Sequence, residues 1–332
     1  MVALGLLLAI LSWRFVETPF RKRRYCPTRN SVFAFGALTV SVVISSGALL
    51  RFNSGFPHRL PDEALRYADA KMDCAPVHQL TTKDVVAGNL IPFGSPNRGA
   101  PVQWLVWGDS HAMAAIPAFD TFLKEQGIAG VAATHSGTAP VLDYFRITKA
   151  GLGIMAPEFN DAVLDYIKAR RIPNVVLVAF WSSYDDENLS LPGNHPFDES
   201  LLATMQKIVR AGSQPWVLLD VPIPWFDVPR VLARCAIHQQ DVGQICPRPD
   251  SSMNPLGKNS RIVTKLQEAG ARILDPRPEF LSKDRSHYVI AMQGFALYSD
   301  WHHLSTRGAN AILVPFFRAS IPTIATGHLI GR

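Results

Sequence analysis

The chain has 332 residues, 48% of them hydrophobic, enough to bury a substantial core in one large domain or two small ones. Its net charge is +6, yet Arg14, Arg21, Lys22, Arg23, Arg24 and Arg29, opposed only by Glu17, account for most of that excess. The remainder is nearly neutral, which argues against the basic face that nucleic-acid binding requires. The cluster beside apolar segments instead reads as the cytoplasmic flank of a membrane.

Residues 1–13, MVALGLLLAILSW, are apolar but fall short of the ~20 residues a spanning helix needs. They fit the tail of a spanning helix or an unusual signal sequence. Residues 31–50, SVFAFGALTVSVVISSGALL, carry no charge and have the length to cross the hydrocarbon core, so 31–51 is predicted to be a transmembrane helix. A buried helix of a soluble protein is the alternative, although such a helix normally shows a polar stripe. With the basic run 21–24 held in the cytoplasm, everything after residue 51 lies on the far side: the periplasm, if the membrane is a bacterial inner membrane. In an oxidising compartment Cys235 and Cys246 could close a short loop. Four unpaired thiols are the other reading, and the spacing matches no zinc pattern.

Residues 52–100 read as a linker and irregular lead-in. From 102 onward apolar runs alternate with helical spacing: strands at 102–107, 127–134, 174–181, 215–222 and 271–276, and helices at 111–127, 157–171, 199–212 and 261–270, with a last one from about 304 to 319. Strand–helix repeats predict a doubly wound three-layer α/β/α domain with a parallel sheet, spanning 101–332. Ligands in such folds bind beyond the carboxyl ends of the strands.

The first of these strands ends in Trp107-Gly108-Asp109-Ser110-His111. A serine at a strand-to-helix turn has free backbone N–H groups beside it, suited to a developing oxyanion. It is also a preferred helix N-cap, and the five residues alone do not decide between the two. Near the other end stands Asp300-Trp301-His302-His303-Leu304-Ser305. Asp and His three apart at a helix start can share one face. The His would then take the proton of Ser110 while the Asp fixes its tautomer. Alone, D-x-x-H fits a metal site or a cap equally well; in this order with G-D-S it is far more specific.

These two blocks resemble those of the SGNH, or GDSL-like, hydrolase superfamily. G-D-S-H with D-x-x-H-L-S is more narrowly similar to the SGNH domain fused to acyltransferase-3 membrane proteins. Residues 12–21, SWRFVETPFR, resemble the end of that family's last membrane helix. The resemblance implies that 1–30 is the end of that helix plus a basic cytoplasmic turn, with most of the membrane domain not represented. It implies Ser110, Asp300 and His303 as catalytic residues and the N–H groups of Ser110 and Gly137 (in His135-Ser136-Gly137) as oxyanion donors. Gly137 is otherwise a plain turn glycine. The third block departs from G-x-N-D: Phe180-Trp181-Ser182 stands there without the Asn, a loss worth ~3 kcal/mol in other serine enzymes. Asp109, Trp181 and Ser182 are candidates for the site wall, and His111 and His302 for wall or solvent. No metal or resident cofactor is expected. The acyl donor, which could derive from acetyl-CoA, would come through a separate membrane domain, and the acceptor would be a cell-surface glycan such as lipopolysaccharide O-antigen. An exported esterase or a non-catalytic glycan-binding module are the alternatives.

Overall fold

The computed structural model describes residues 2–23, 27–97, 99–184, 195–249 and 260–322. The chain divides into two compact units, residues 1–60 and 61–332.

The first unit is helical. Helices α1 (Val2–Ser12) and α2 (Thr18–Arg21) are joined by one π-helical turn at Trp13–Glu17. Pro19 has no N–H to give to the preceding turn, and Thr18 compensates by donating both its backbone N–H and its Oγ1 (2.7 Å) to the Trp13 carbonyl. Helix α3 (Arg29–Phe52) starts at a capping box in which Thr28 and Ser31 satisfy each other's backbone N–H. It contains the predicted 31–51 span, is long enough to cross a membrane and has a mean hydropathy of 2.0 in its most apolar window.

The second unit is a three-layer α/β/α fold. Its six-stranded sheet has the order β1-β3-β2-β4-β5-β6: Ile91–Gly94, Ala129–Thr134, Val102–Gly108, Asn174–Val178, Gln214–Leu218 and Arg272–Leu274. All pairings are parallel except β1 with β3. The strands are apolar on both faces because both are covered. Along β2, Trp104 and Val106 enter one core while Leu105 and Trp107 enter the other. The first core is closed by α6 (Ser110–Glu125), α10 (Val228–His238) and α12 (Thr306–Ser320), the second by α7 (Ala156–Arg170), α9 (Phe197–Arg210) and α11 (Ser260–Glu268).

The chain leaves β2 towards β3 on one side and later returns to β4 on the other. The carboxyl end of β2 beside β4 is therefore the topological switch point, where open α/β sheets bind ligands.

One expectation is corrected, and the two readings of the cysteines are separated. Residues 61–97 are not a linker. They form α4 (Asp62–Asp69), α5 (Thr82–Val86) and β1, and bury Tyr67, Val85 and Leu90. Pro92 breaks the strand pattern of β1 in the sequence, and it is tolerated there because β1 lies at the sheet edge. Cys235 and Cys246 are also not bridged; both are free thiols, as is the exposed Cys74. Cys26 lies outside the described residues. Helix α10, which the strand–helix repeat did not anticipate, packs against α4 and buries Val228 and Leu232 in the first core.

Candidate active site

Gly108 makes the turn after β2 possible. A Cβ there would lie 1.7 Å from the carbonyl oxygen of Val178 on the neighbouring strand and 2.8 Å from Ala112 Cβ. Any other residue would push β2 and β4 apart. Asp109, not Ser110, caps α6: its backbone is extended and its Oδ1 accepts the His111 N–H at 2.8 Å. Ser110 is the first helical residue, so its hydroxyl is not used as a cap.

That hydroxyl faces His303. Ser110 Oγ and His303 Nε2 are 2.8 Å apart, and His303 Nδ1 is 2.7 Å from Asp300 Oδ2. A neutral imidazole facing a carboxylate through Nδ1 carries its proton there and leaves Nε2 as the acceptor. Asp300 is itself fixed, because Oδ1 accepts the backbone N–H groups of His302 and His303 at 2.8 and 2.7 Å. Burial pushes this carboxyl up, but the hydrogen bond and charge of His303 and the two N–H groups outweigh it and hold it well below the usual range. The D-x-x-H segment is not a helix start, as its spacing suggested. It is a turn closed by Ser299 N–H donating to the His303 carbonyl, and α12 begins at Thr306 with Ser305 as its cap.

Asp109 is 2% exposed and joins the two neighbouring strand ends. Its Oδ2 accepts the Phe180 N–H (3.0 Å) and the Tyr184 hydroxyl (2.8 Å), while burial raises its pKa. Gly137 and Ser110 line one cavity of about 810 Å³, together with Asp300 and His303. Gly137 has φ +62, and a Cβ there would meet Thr148 Oγ1 at 2.8 Å, so only glycine fits without strain. His135 N–H donates to the Gly108 carbonyl at 3.1 Å, which binds the Gly137 loop to the turn that carries Ser110.

The sequence motif that carries this geometry is matched over residues 74–318 by the profile of the SGNH domain (fused to AT3 domains). The chain belongs to that family. Among solved structures, the SGNH unit is similar to the periplasmic domain of a lipopolysaccharide acetyltransferase of Salmonella ser. Paratyphi A. The TM-score is 0.51 at 16% identity, covering 74% of this chain and 90% of that one. A GDSL-like lipase of Bacteroides thetaiotaomicron VPI-5482 aligns at TM-score 0.39 and 10% identity, covering 76% and 97%. An acetyl xylan esterase aligns at 0.38 and 13%, covering 66% and 100%. At these identities the likeness is one of fold. No curated protein sequence matches the chain.

The third block of this SGNH domain differs from expectation. Trp181 is not a wall residue: it is fully buried and donates Nε1 to the Leu218 carbonyl at 2.7 Å. Ser182 does not line the cavity either. The N–H groups of Trp181 and Ser182, at the start of the short helix α8 (Trp181–Tyr184), both donate into Asp220, at 3.0 and 2.9 Å. Asp220 is buried, and burial raises its pKa to about 7 despite these bonds. The cavity wall at this strand end is Phe180, Ser183 and Tyr184.

Sequence reasoning undervalued two imidazoles. His111, only 7% exposed, is not a solvent residue. Its Nε2 is 2.8 Å from His302 Nδ1, and its ring stacks on Phe180 with centroids 4.6 Å apart. His302 lies 3.8 Å, centroid to centroid, from His303. Burial, then the charge of His303, lowers His302 to about 4 and His111 well below its ordinary value, so both are neutral at pH 7. Ring nitrogens of His111, His302 and His303 come within 4.8 Å of one another, a spacing that could hold a metal ion. Both nitrogens of His303 and one of each neighbour are already hydrogen-bonded, so a metal would have to displace these bonds.

Proposed function

We propose that the chain is a membrane-anchored O-acyltransferase that moves an acyl group, acetyl by preference, onto a hydroxyl of a cell-surface glycan. The observation that carries this reading is the unbroken chain Ser110 Oγ, His303 Nε2, His303 Nδ1, Asp300 Oδ2 at the switch point of the sheet, open to a cavity of about 810 Å³. Membership of a domain family found fused to AT3 domains supports transfer over hydrolysis. The lipopolysaccharide acetyltransferase neighbour supports a glycan acceptor, with O-antigen as the first candidate.

In the first half-reaction Ser110 Oγ attacks the carbonyl carbon of an acyl ester or thioester donor. Its proton passes to His303 Nε2 and from there to the leaving oxygen or sulfur as the donor bond breaks. The N–H groups of Ser110 and Gly137 face the oxyanion, and Asp300 stabilises the imidazolium. In the second half-reaction His303 takes the proton of a sugar hydroxyl, whose oxygen attacks the acyl carbon. The Ser110 ester breaks and the proton returns to Ser110 Oγ. The donor would derive from acetyl-CoA and arrive through a membrane acyltransferase domain. Helix α3, with its basic amino-terminal flank, would place the SGNH unit on the periplasmic side of the inner membrane.

The test uses the full chain in detergent with p-nitrophenyl acetate as donor. Wild type should release p-nitrophenol and carry an acetyl adduct on the Ser110 peptide by mass spectrometry. Ester cleavage unchanged in Ser110→Ala would sink the catalytic reading and favour a binding module. Acetate as the only product in the presence of O-polysaccharide would favour an esterase.

A further inference from the structure

Of the Trp, Phe and Tyr rings in the described part of the SGNH unit two are exposed, Trp225 at 65% and Trp301 at 37%, and they lie together. Their centroids are 5.5 Å apart and their planes differ by 28°. Trp301 lines the Ser110 cavity and packs edge-on against Phe180 at 5.9 Å. Trp225 stands outside it on the loop after β5.

The loop is built to hold that ring out. Trp225 has φ +63, a left-handed conformation that a bulky residue adopts only where its surroundings enforce it. The anchors lie on either side. Tyr298 donates its hydroxyl to the Pro222 carbonyl at 2.7 Å, and Val228 N–H donates to the backbone carbonyl of Asp300 at 3.2 Å. The second bond fixes the Trp225 loop to the residue that orients His303. Lys71 and Asp227 form an ion pair at 2.6 Å, and both line the cavity that Trp301 lines.

We infer that Trp225 and Trp301 form a stacking platform that seats a pyranose ring of the acceptor glycan at the mouth of the Ser110 cavity. The inference rests on the acyltransferase reading and adds to it where the acceptor sits. An indole face is negative, and the C–H face of a pyranose presents the complementary positive edge. The hydroxyls around a sugar's rim need polar partners, which Lys71 and Asp227 supply. A rigid, water-exposed aromatic pair at a cleft mouth has little structural use of its own, and exposed apolar surface beside a site marks a ligand.

The test is glycan binding without turnover. Full-length Ser110→Ala in detergent is applied to an array of bacterial surface polysaccharides. It should bind at least one pyranose-containing glycan. Adding Trp225→Ala or Trp301→Ala should weaken that binding about 10-fold or more, and Trp225→Phe should restore most of it. Melting curves of each variant establish that it is folded, and the two alanine variants report independently. No glycan bound by the Ser110→Ala protein, or binding by a folded Trp225→Ala within about twofold of it, would overturn the platform. Neither result touches the Ser110 reading, which fails only if Ser110→Ala still cleaves p-nitrophenyl acetate.

Discussion

The carboxyl ends of β2 and β4 are neighbours, in register at Gly108 and Val178, yet they turn their polar groups in opposite directions. After β2, Asp109 takes over the capping of α6 and leaves the Ser110 hydroxyl facing His303 in the cavity. After β4, the first N–H groups of α8 point into the protein, to Asp220, and the cavity meets the Phe180 ring instead. One end presents reactive groups; the other presents a surface against which His111 and His302 stack. Where the third block lacks its Asn, the Phe180 ring packs on both imidazoles instead. That end of the sheet has a different task, which is to hold imidazoles in place.

The largest effect should come from the β2 side. Ser110→Ala should lower kcat for p-nitrophenyl acetate about 10⁴-fold or more without altering the melting temperature by more than a few degrees. Asp300→Asn should fall nearly as far, because it disturbs the tautomer of His303. A residual rate in Asp300→Asn close to wild type would mean that His303 is oriented by its backbone turn alone.

On the β4 side the order of effects inverts, with stability lost before activity. Trp181→Ala empties a fully buried site and should cost about 3–5 kcal/mol in denaturant unfolding. Where the variant still folds, its KM for the small ester should not move. Asp220→Ala leaves two buried N–H groups without their acceptor and should cost about 2–3 kcal/mol. Phe180→Ala is the crossing point: half-buried, it should cost less stability but lower kcat roughly tenfold, about 1.4 kcal/mol, by loosening the His111–His302 stack. If Trp181→Ala proved folded and inactive, the division between the two strand ends would be wrong.

The same division explains what could be read from the residues beforehand. Gly108, Asp109 and Ser110 are legible because a close strand contact, a cap and the nucleophile proposed above each admit few residue types, and adjacent in sequence they form a motif. Asp300 and His303 are legible for the same reason. Phe180, Tyr184 and Asp220 are not, because an aromatic or acid after an apolar strand is common and its role depends on distant partners. Asp220 lies 38 residues from Ser182, and no spacing rule links them. The choice of Trp181 and Ser182 failed by one or two positions, since the turn of α8 decides which side chains face the cavity. Strand β1 and helix α4 were invisible for the opposite reason: they are too short and too mixed in composition to show a period, and only their tertiary contacts make them part of the sheet unit.

The smallest effect is a change of slope rather than of size, and it reports on Asp220 directly. Unfolded, this carboxyl titrates at about 3.9; folded, burial holds its pKa at about 7. Below the unfolded value both states are protonated and the group has no influence on stability. Between the two values the unfolded chain releases its proton while the folded one keeps it, so stability falls as pH rises, and it levels off above the folded value. Asp109, also raised by burial, acts in the same direction, which makes the wild-type curve alone ambiguous. The difference between wild type and Asp220→Asn isolates the group. The amide gives up one of the two acceptor oxygens and should be modestly less stable at pH 4, but its melting temperature should decline less between pH 4 and pH 7. Parallel curves would mean that Asp220 is ionised throughout and held as a charged acceptor. The start of α8 would then carry a buried negative charge beside Asp109, and the β4 end of the sheet would contribute to the electrostatics at Ser110 as well as to its packing.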